Sequence, residues 1–490
     1  MLPLALLAAV APLLAAAQYS CDPSKCRLPD CNCASTSPPG GLEPKDVPMF
    51  VVFTADDAIQ GATIASVNQF LAHRKNPNGC QPKMTYYTSL GYTNYSLVTD
   101  WYVAGNEIAD HTMTHVGNPS KAEIDGNLIA LNALSGIPLR AIQGFRAPFL
   151  NFSRETLEFL SEAGFTYDSS ASASVPVDDP NTDAFWPYTL DNGMANDCQN
   201  DQVRGACNGG LKLNGFWEVP MYAFHDKRGA AGTHLMDPWL DSANGNNGVD
   251  DDATLEYMQD TFTKHYEGNR QPIGLYTHPI HVSIPSTPNA SKRTIDMINR
   301  FLDWAQNQQN VWIVSTEQML EWVKNPVPVS ELDNFGPLRC STPDVSATIC
   351  NGMNANQQGL LDHCKFSDFP FHTCYGCPEE YPSPNNPNPA QTQENDHQAR
   401  FRLPANCSTP FWDPIKGECL CSSSSCAFND DSRAIGPNGA NLTGGGTGAA
   451  NEDPDSPYVP FNGRAGSFGP SVVIAALGVV VGTMSMFARF

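Results

Sequence analysis

Between residues 46 and 324, short runs rich in apolar and β-branched residues alternate with longer amphipathic stretches. The runs Met49–Thr54, Lys83–Thr88, Glu107–Asp110, Ala141–Phe145, Thr166–Ser169, Phe216–Tyr222, Ile273–Thr277 and Val311–Ser315 are too short for helices and predict strands. Between them, Ile59–Asn76, Tyr95–Ala104, Lys121–Leu134, Arg154–Ala163, Thr254–Tyr266 and Thr294–Asn307 predict helices. Several of these begin after a Ser, Thr or Asn able to cap the first turn. Strands that alternate with helices imply a parallel sheet with crossover connections. The expected fold is therefore α/β, a distorted (β/α) barrel of seven or eight strands. Its site should gather at the C-terminal strand ends.

Outside residues 46–324 the pattern changes. Residues 1–17 are apolar and end in Ala15-Ala16-Ala17, a secretory signal with its cleavage site. Residues 18–45 are a Cys-rich lead-in, 325–431 a Cys- and Pro-rich extension, and 432–463 a flexible stalk of Gly, Asn, Thr and Pro. Residues 464–490 carry an uncharged apolar run, Val472–Phe487, preceded by small residues. That order fits a removable glycosylphosphatidylinositol (GPI) attachment signal, with Asn462 or Gly466 as the attachment point. A tail-end transmembrane helix is the alternative. The extension is either a disulfide-held cap on the barrel or a small carbohydrate-binding module.

Sixteen cysteines in a secreted chain imply disulfides rather than reactive thiols. Zinc held by Cys374 and Cys377 is the competing reading of that pair. Asn94, Asn151, Asn289, Asn406 and Asn441 each begin an Asn-x-Ser/Thr glycosylation sequon. The net charge of −23 argues against nucleic acid and anionic lipid as partners.

Candidate chemistry lies where strands hand over to loops. Asp56 and Asp57 end the first strand, and His111-Thr112-Met113-Thr114-His115 follows the third. One carboxylate and two imidazoles are a common ligand set for a catalytic divalent metal, and one carboxylate is left over as a base. Adjacent aspartates are more often turn or cap residues. The His-x-x-x-His spacing suits one face of a helical turn. Either motif alone is weak.

Gly144-Phe145-Arg146-Ala147-Pro148-Phe149, Leu235-Met236-Asp237-Pro238-Trp239 and Gly274-Leu275-Tyr276-Thr277-His278 complete five ordered motifs. Together they resemble the polysaccharide deacetylases (carbohydrate esterase family 4, NodB homology domain), closest to the chitin deacetylases of fungi and arthropods. The resemblance covers about residues 21–325 and leaves the extension unexplained. It implies Asp57, His111 and His115 as metal ligands, zinc first and cobalt second, and Asp56 as general base oriented by Arg146. It implies His278 as general acid with Asp237 as its partner; Asp168 competes for that role, or is a strand-end cap. A backbone N–H beside Phe149 would hold the oxyanion, and Trp239 would line the acetyl pocket, although Pro238 separates it unusually from Asp237. His281 is a lesser candidate for touching the site. Tyr86, Tyr87, Tyr92 and Trp101 could stack sugar rings or simply fill the core. The implied function is hydrolysis of N-acetyl groups of chitin by a monomeric, GPI-anchored enzyme at the plasma membrane or cell wall. An acetylxylan esterase, another polysaccharide deacetylase, or a vestigial chitin-binding wall protein is the alternative.

Overall fold

A computed structural model describes residues 19–389 except 208, 240–250, 284–287, 343–360, 368 and 374–375, together with short strands at 412–413 and 418–419. The expected signal, stalk and lipid-anchor segments lie outside the described residues. Among the described residues no helix is long and apolar enough to cross a membrane.

One curled sheet organises the molecule. Its strands are β1 (Met49–Asp57), β2 (Thr85–Thr88), β3 (Glu107–Asp110), β4 (Gly144–Phe145), β5 (Tyr167–Asp168), β6 (Tyr188–Thr189), β7 (Trp217–Glu218), β8 (Ile273–Thr277) and β9 (Val311–Val314). Their order is β8-β1-β2-β3-β4-β5-β7-β6, with β9 paired to the first half of β1. All neighbours run parallel except β6 and β7. The curled sheet bears out the distorted α/β barrel.

The alternation of side chains along β1 separates two cores. Val51, Phe53 and Ala55 join one large apolar cluster, with Val67 and Phe70 of helix α1 (Gly61–Leu71). Phe50 and Val52 instead meet a second cluster. Its other side includes Met319, Leu320, Trp322 and Val323 of a helix the sequence pattern had not suggested, Thr316–Lys324.

Three of the other helices keep close to their expected bounds because caps fix them: α2 (Tyr95–Val103), α3 (Lys121–Ser135) and α4 (Arg154–Ala163). Ser153 accepts from Thr156 N at the start of α4, and Gly136 (φ 74°) and Gly164 (φ 85°) end α3 and α4 in the left-handed region. Helix α1 stops short of the expected Asn76. Asn76 Nδ2 donates to Ile313 O and its Oδ1 accepts from Ile313 N, both at 2.9 Å, so the edge strand pulls the chain out of the helix. The expected strand Phe216–Tyr222 is split, since Pro220 can donate no ladder hydrogen bond. Its first part is β7, and Met221–Tyr222 pairs with Ser172–Ala173.

Five disulfides occur among the described residues: Cys21–Cys33, Cys26–Cys31, Cys80–Cys340, Cys198–Cys207 and Cys364–Cys377. Cys377 is therefore no zinc ligand, and that reading of Cys374 and Cys377 is overturned. The described residues between 361 and 389 pack on the barrel through a hairpin. Their hairpin, β10 (Asp362–Cys364) and β11 (Phe371–Thr373), sends Cys364 and Phe371 into the main core. His372 N donates to Thr93 O (3.0 Å), and Thr373 Oγ1 to Leu134 O (2.7 Å). For these residues the extension is a cap.

Among the sequon asparagines, Asn94 is buried. It is 6% exposed, and its side chain caps α2 by accepting from Ser96 N (3.1 Å). That bond uses the amide oxygen, and burial leaves no room for a glycan on the amide nitrogen in this fold.

Candidate active site

The C-terminal ends of the parallel strands bring the polar candidates together. Asp56 and Asp57 end β1, His111 follows β3, Arg146 follows β4, and His278 follows β8. Parity along β1 turns Asp56 inward, on the face opposite Ala55. Asp57 would point the other way, but its φ of 83° breaks the strand alternation. A non-glycine residue in that region is strained and persists only where its surroundings hold it.

Asp56 is 3% exposed and Arg146 fully buried. Arg146 Nη1 donates to Asp56 Oδ1 and to Thr54 Oγ1, both at 2.8 Å, while its Nε donates to Ser169 O at 2.9 Å. The guanidinium lies over the Tyr87 ring (4.0 Å) and near that of Tyr276 (5.1 Å). Burial pushes the guanidinium down, but the Asp56 charge and hydrogen bond together with the Tyr87 and Tyr276 rings outweigh it and raise Arg146. Two aromatic faces and fixed acceptors hold the Arg146 guanidinium in place. Sequence reading gave Tyr276 no role and read Tyr87 only as a sugar-stacking or core residue, not as a partner of Arg146. Tyr87 pairs with Asp56 across β1–β2, and Tyr276 with Thr54 across β1–β8, so strand register was the signal.

Asp57, His111 and His115 form the second cluster. Their ligating atoms all lie within 4.8 Å of one another. His115 Nε2 is 2.9 Å, and His111 Nε2 3.6 Å, from Asp57 Oδ1. Despite that proximity, Asp57 Oδ1 is buried without a properly directed hydrogen bond. A buried carboxylate oxygen and two imidazole nitrogens this close together suit a shared cation. His111 Nδ1 lies 2.8 Å from Arg146 O, which assigns its N–H to the carbonyl and leaves Nε2 free as a ligand. Burial pushes the Asp57 carboxyl up, but His111 and His115 overcome it and hold it well below the usual carboxylate range. The donor set fits a divalent metal.

The expected helical face for His111 and His115 does not exist. They lie in a loop with left-handed residues at Thr112 (φ 61°) and His115 (φ 56°). Asp110 Oδ1 accepts from Thr112 N (2.8 Å), and Glu123 of α3 accepts from Thr114 N (2.9 Å). Tertiary hydrogen bonds, rather than a helical turn, bring the imidazoles together.

Across the opening, His278 Nδ1 is 2.6 Å from Asp237 Oδ2, and Asp237 Oδ1 accepts from His278 N (2.8 Å) and Thr277 Oγ1 (3.2 Å). Burial lowers the His278 imidazole, but the Asp237 hydrogen bond and charge prevail and push it up to about 9. Asp168 is not its partner: it accepts from Ser170 N (3.1 Å) and Ser170 Oγ (2.7 Å), the strand-end cap, and burial pushes its carboxyl up. His281 Nε2 stands 3.9 Å from Asp237 Oδ2, at the edge of this pair.

Of the substrate candidates, Phe149 is 76% exposed, its ring edge-on to His115 with centroids 4.9 Å apart. Trp239 is 1% exposed, its indole nitrogen buried without a partner among the described residues. Tyr86, Tyr87 and Trp101 are core residues, while Tyr92 is 48% exposed.

No family model matches the chain. It is 30% identical over 382 residues to chitin deacetylase 8 of Bombyx mori, covering 75% of this chain and 92% of that protein. Chitin deacetylase 1 of Bombyx mori is likewise 30% identical over 395 residues, covering 75% of this chain and 68% of its own. Among solved structures, a putative polysaccharide deacetylase from Mycobacterium smegmatis matches at 17% identity and a TM-score of 0.39, covering 59% of this chain and 95% of that one. That last likeness is too loose to carry weight.

Proposed function

The chain belongs to the chitin deacetylase family, and from that premise we propose that it is a metal-dependent hydrolase removing N-acetyl groups from chitin, giving chitosan and acetate. The observation that carries this reading is the division of labour between two neighbouring carboxylates. Asp57 faces two imidazoles, and Asp56 faces Arg146.

Asp57, His111 and His115 would hold the metal. When bound there, a divalent cation supplies Lewis acidity toward a water and toward the amide carbonyl. Asp56 takes the proton of the attacking water, with Arg146 fixing its orientation. His278, kept cationic by Asp237, gives a proton to the leaving nitrogen as the C–N bond breaks. The amine thus departs neutral, which an amide requires more than an ester does. A backbone N–H beside Phe149 shares the oxyanion charge, and Trp239 closes the acetyl pocket.

Acetate release from N-acetylglucosamine oligomers, after chelation and again after adding back zinc or cobalt, tests the proposal. Activity lost and then restored is expected. Release from acetylated xylan alone would turn the reading to an ester hydrolase, and release from neither substrate would overturn it.

The five disulfides support an oxidising, secreted setting. With the apolar ends of the sequence, they support a GPI-anchored protein at the cell surface. Release from intact cells by a phosphatidylinositol-specific phospholipase is expected; retention would sink the anchor.

A further inference from the structure

Among the described residues five large hydrophobic side chains stand exposed: Tyr92, Val116, Phe149, Ile280 and Phe369. Single exposed hydrophobics are ordinary, but a group around one opening marks a binding surface. Val116 adjoins His115, Phe149 sits in the loop after Arg146, and Ile280 lies just past His278. Tyr92 belongs to the loop after β2, which is tied to both ligand segments. Ser89 N donates to Asp57 O (3.2 Å), and Ser89 Oγ to His111 O (2.7 Å).

Phe369 comes from the extension, far along the chain. Its ring meets Tyr92 edge to face, with centroids 5.6 Å apart at 77°, and each residue is 48% exposed. The placement is held from both sides. Tyr92 has a left-handed backbone (φ 63°), and its N–H donates to Pro370 O at 2.9 Å. Phe369 lies on Gly91, where an added Cβ would stand 3.3 Å from both Phe369 Cβ and Cδ1. A larger residue at 91 would press on Phe369, which glycine avoids.

We propose that Tyr92 and Phe369 form a stacking subsite for a pyranose ring of the polymer, distinct from the ring that loses its acetyl group. The subsite rests on the reading of the protein as a chitin deacetylase. A β-linked N-acetylglucosamine ring carries its substituents equatorially, so its two faces present axial C–H groups. Such faces suit the negative face of an aromatic ring. Two rings near a right angle make a corner that seats one sugar rather than a flat plate. The extension thereby helps bind substrate as well as covering the core.

Kinetics on the dimer and hexamer of N-acetylglucosamine test this. Phe369→Ala should raise KM on the hexamer about three- to tenfold, the scale of one lost aromatic contact, with a much smaller change on the dimer. Phe369→Trp should restore the hexamer preference, and Gly91→Ala, which pushes Phe369 aside, should weaken it. Equal losses on dimer and hexamer, or none on the hexamer, would overturn the subsite. Calorimetry of hexamer binding to Asp56→Asn, with and without Phe369→Ala, reads the same contact without turnover. A wild-type protein that binds the hexamer through Phe369 yet releases no acetate would refute the reaction and keep the subsite.

Discussion

Two walls of the catalytic opening are built on opposite principles. On the His278 wall, Asp237 is satisfied by the protein: the imidazole, the His278 amide and the Thr277 hydroxyl use both its oxygens. On the Asp57 wall, a buried carboxylate oxygen has imidazole nitrogens around it and no directed donor. One wall is electrostatically complete and poises a proton. The other is complete only with a cation. Strained backbone occurs on both walls: Asp57, Thr112 and His115 carry positive φ on one, and Asp237 (φ 44°) on the other.

The largest expected effect separates Asp56 from Asp57. Asp56→Asn should lower acetate release about 10²- to 10⁴-fold, the range for a lost general base, while calorimetry still finds one equivalent of zinc. Asp57→Asn should lose the zinc itself. Equal zinc affinity in the two variants would erase the distinction between the roles.

Next in size is the pH profile. With His278 pushed up to about 9, its acid form persists through neutrality, and the rate should fall as pH rises through that value. Asp237→Asn should move the alkaline limb toward the ordinary imidazole value near 6.5, lowering activity at pH 8 roughly thirtyfold. The sign for stability is the same. A raised folded value means that the stabilisation from this pair is full below about 6.5 and is lost as pH rises through about 9. An alkaline limb that ignores Asp237→Asn would remove Asp237 from its positioning role.

The smallest effect tests burial against motif. Asn94→Ala should lower stability by about 1 kcal/mol, as a lost helix cap does, read by thermal melting. Mass spectrometry of the secreted protein should find Asn94 unmodified. A glycan there would contradict its burial.

Much of the sheet was legible in the sequence because it depends on local periodicity: β3 and β8 begin and end at the expected residues. The boundaries that moved were set by distant partners, as when Asn76 binds the backbone of Ile313. The ligand residues could be named because a metal site needs particular donor atoms, which are a property of residue type. Their geometry could not be read, since the His-x-x-x-His spacing suggests a helix and the chain forms a pinned loop.

By itself, then, the sequence determined the alternation of strands and helices, the donor atoms that end the strands, and a disulfide-bonded character. Only the tertiary structure decided between Asp237 and Asp168 as the partner of His278, set Arg146 against Tyr87 and Tyr276, and carried Phe369 to Tyr92. The physical reason is range. Periodicity and residue chemistry act over a few neighbouring residues, whereas each of these choices depends on groups that only the folded sheet and its docked extension bring within hydrogen-bonding or van der Waals distance.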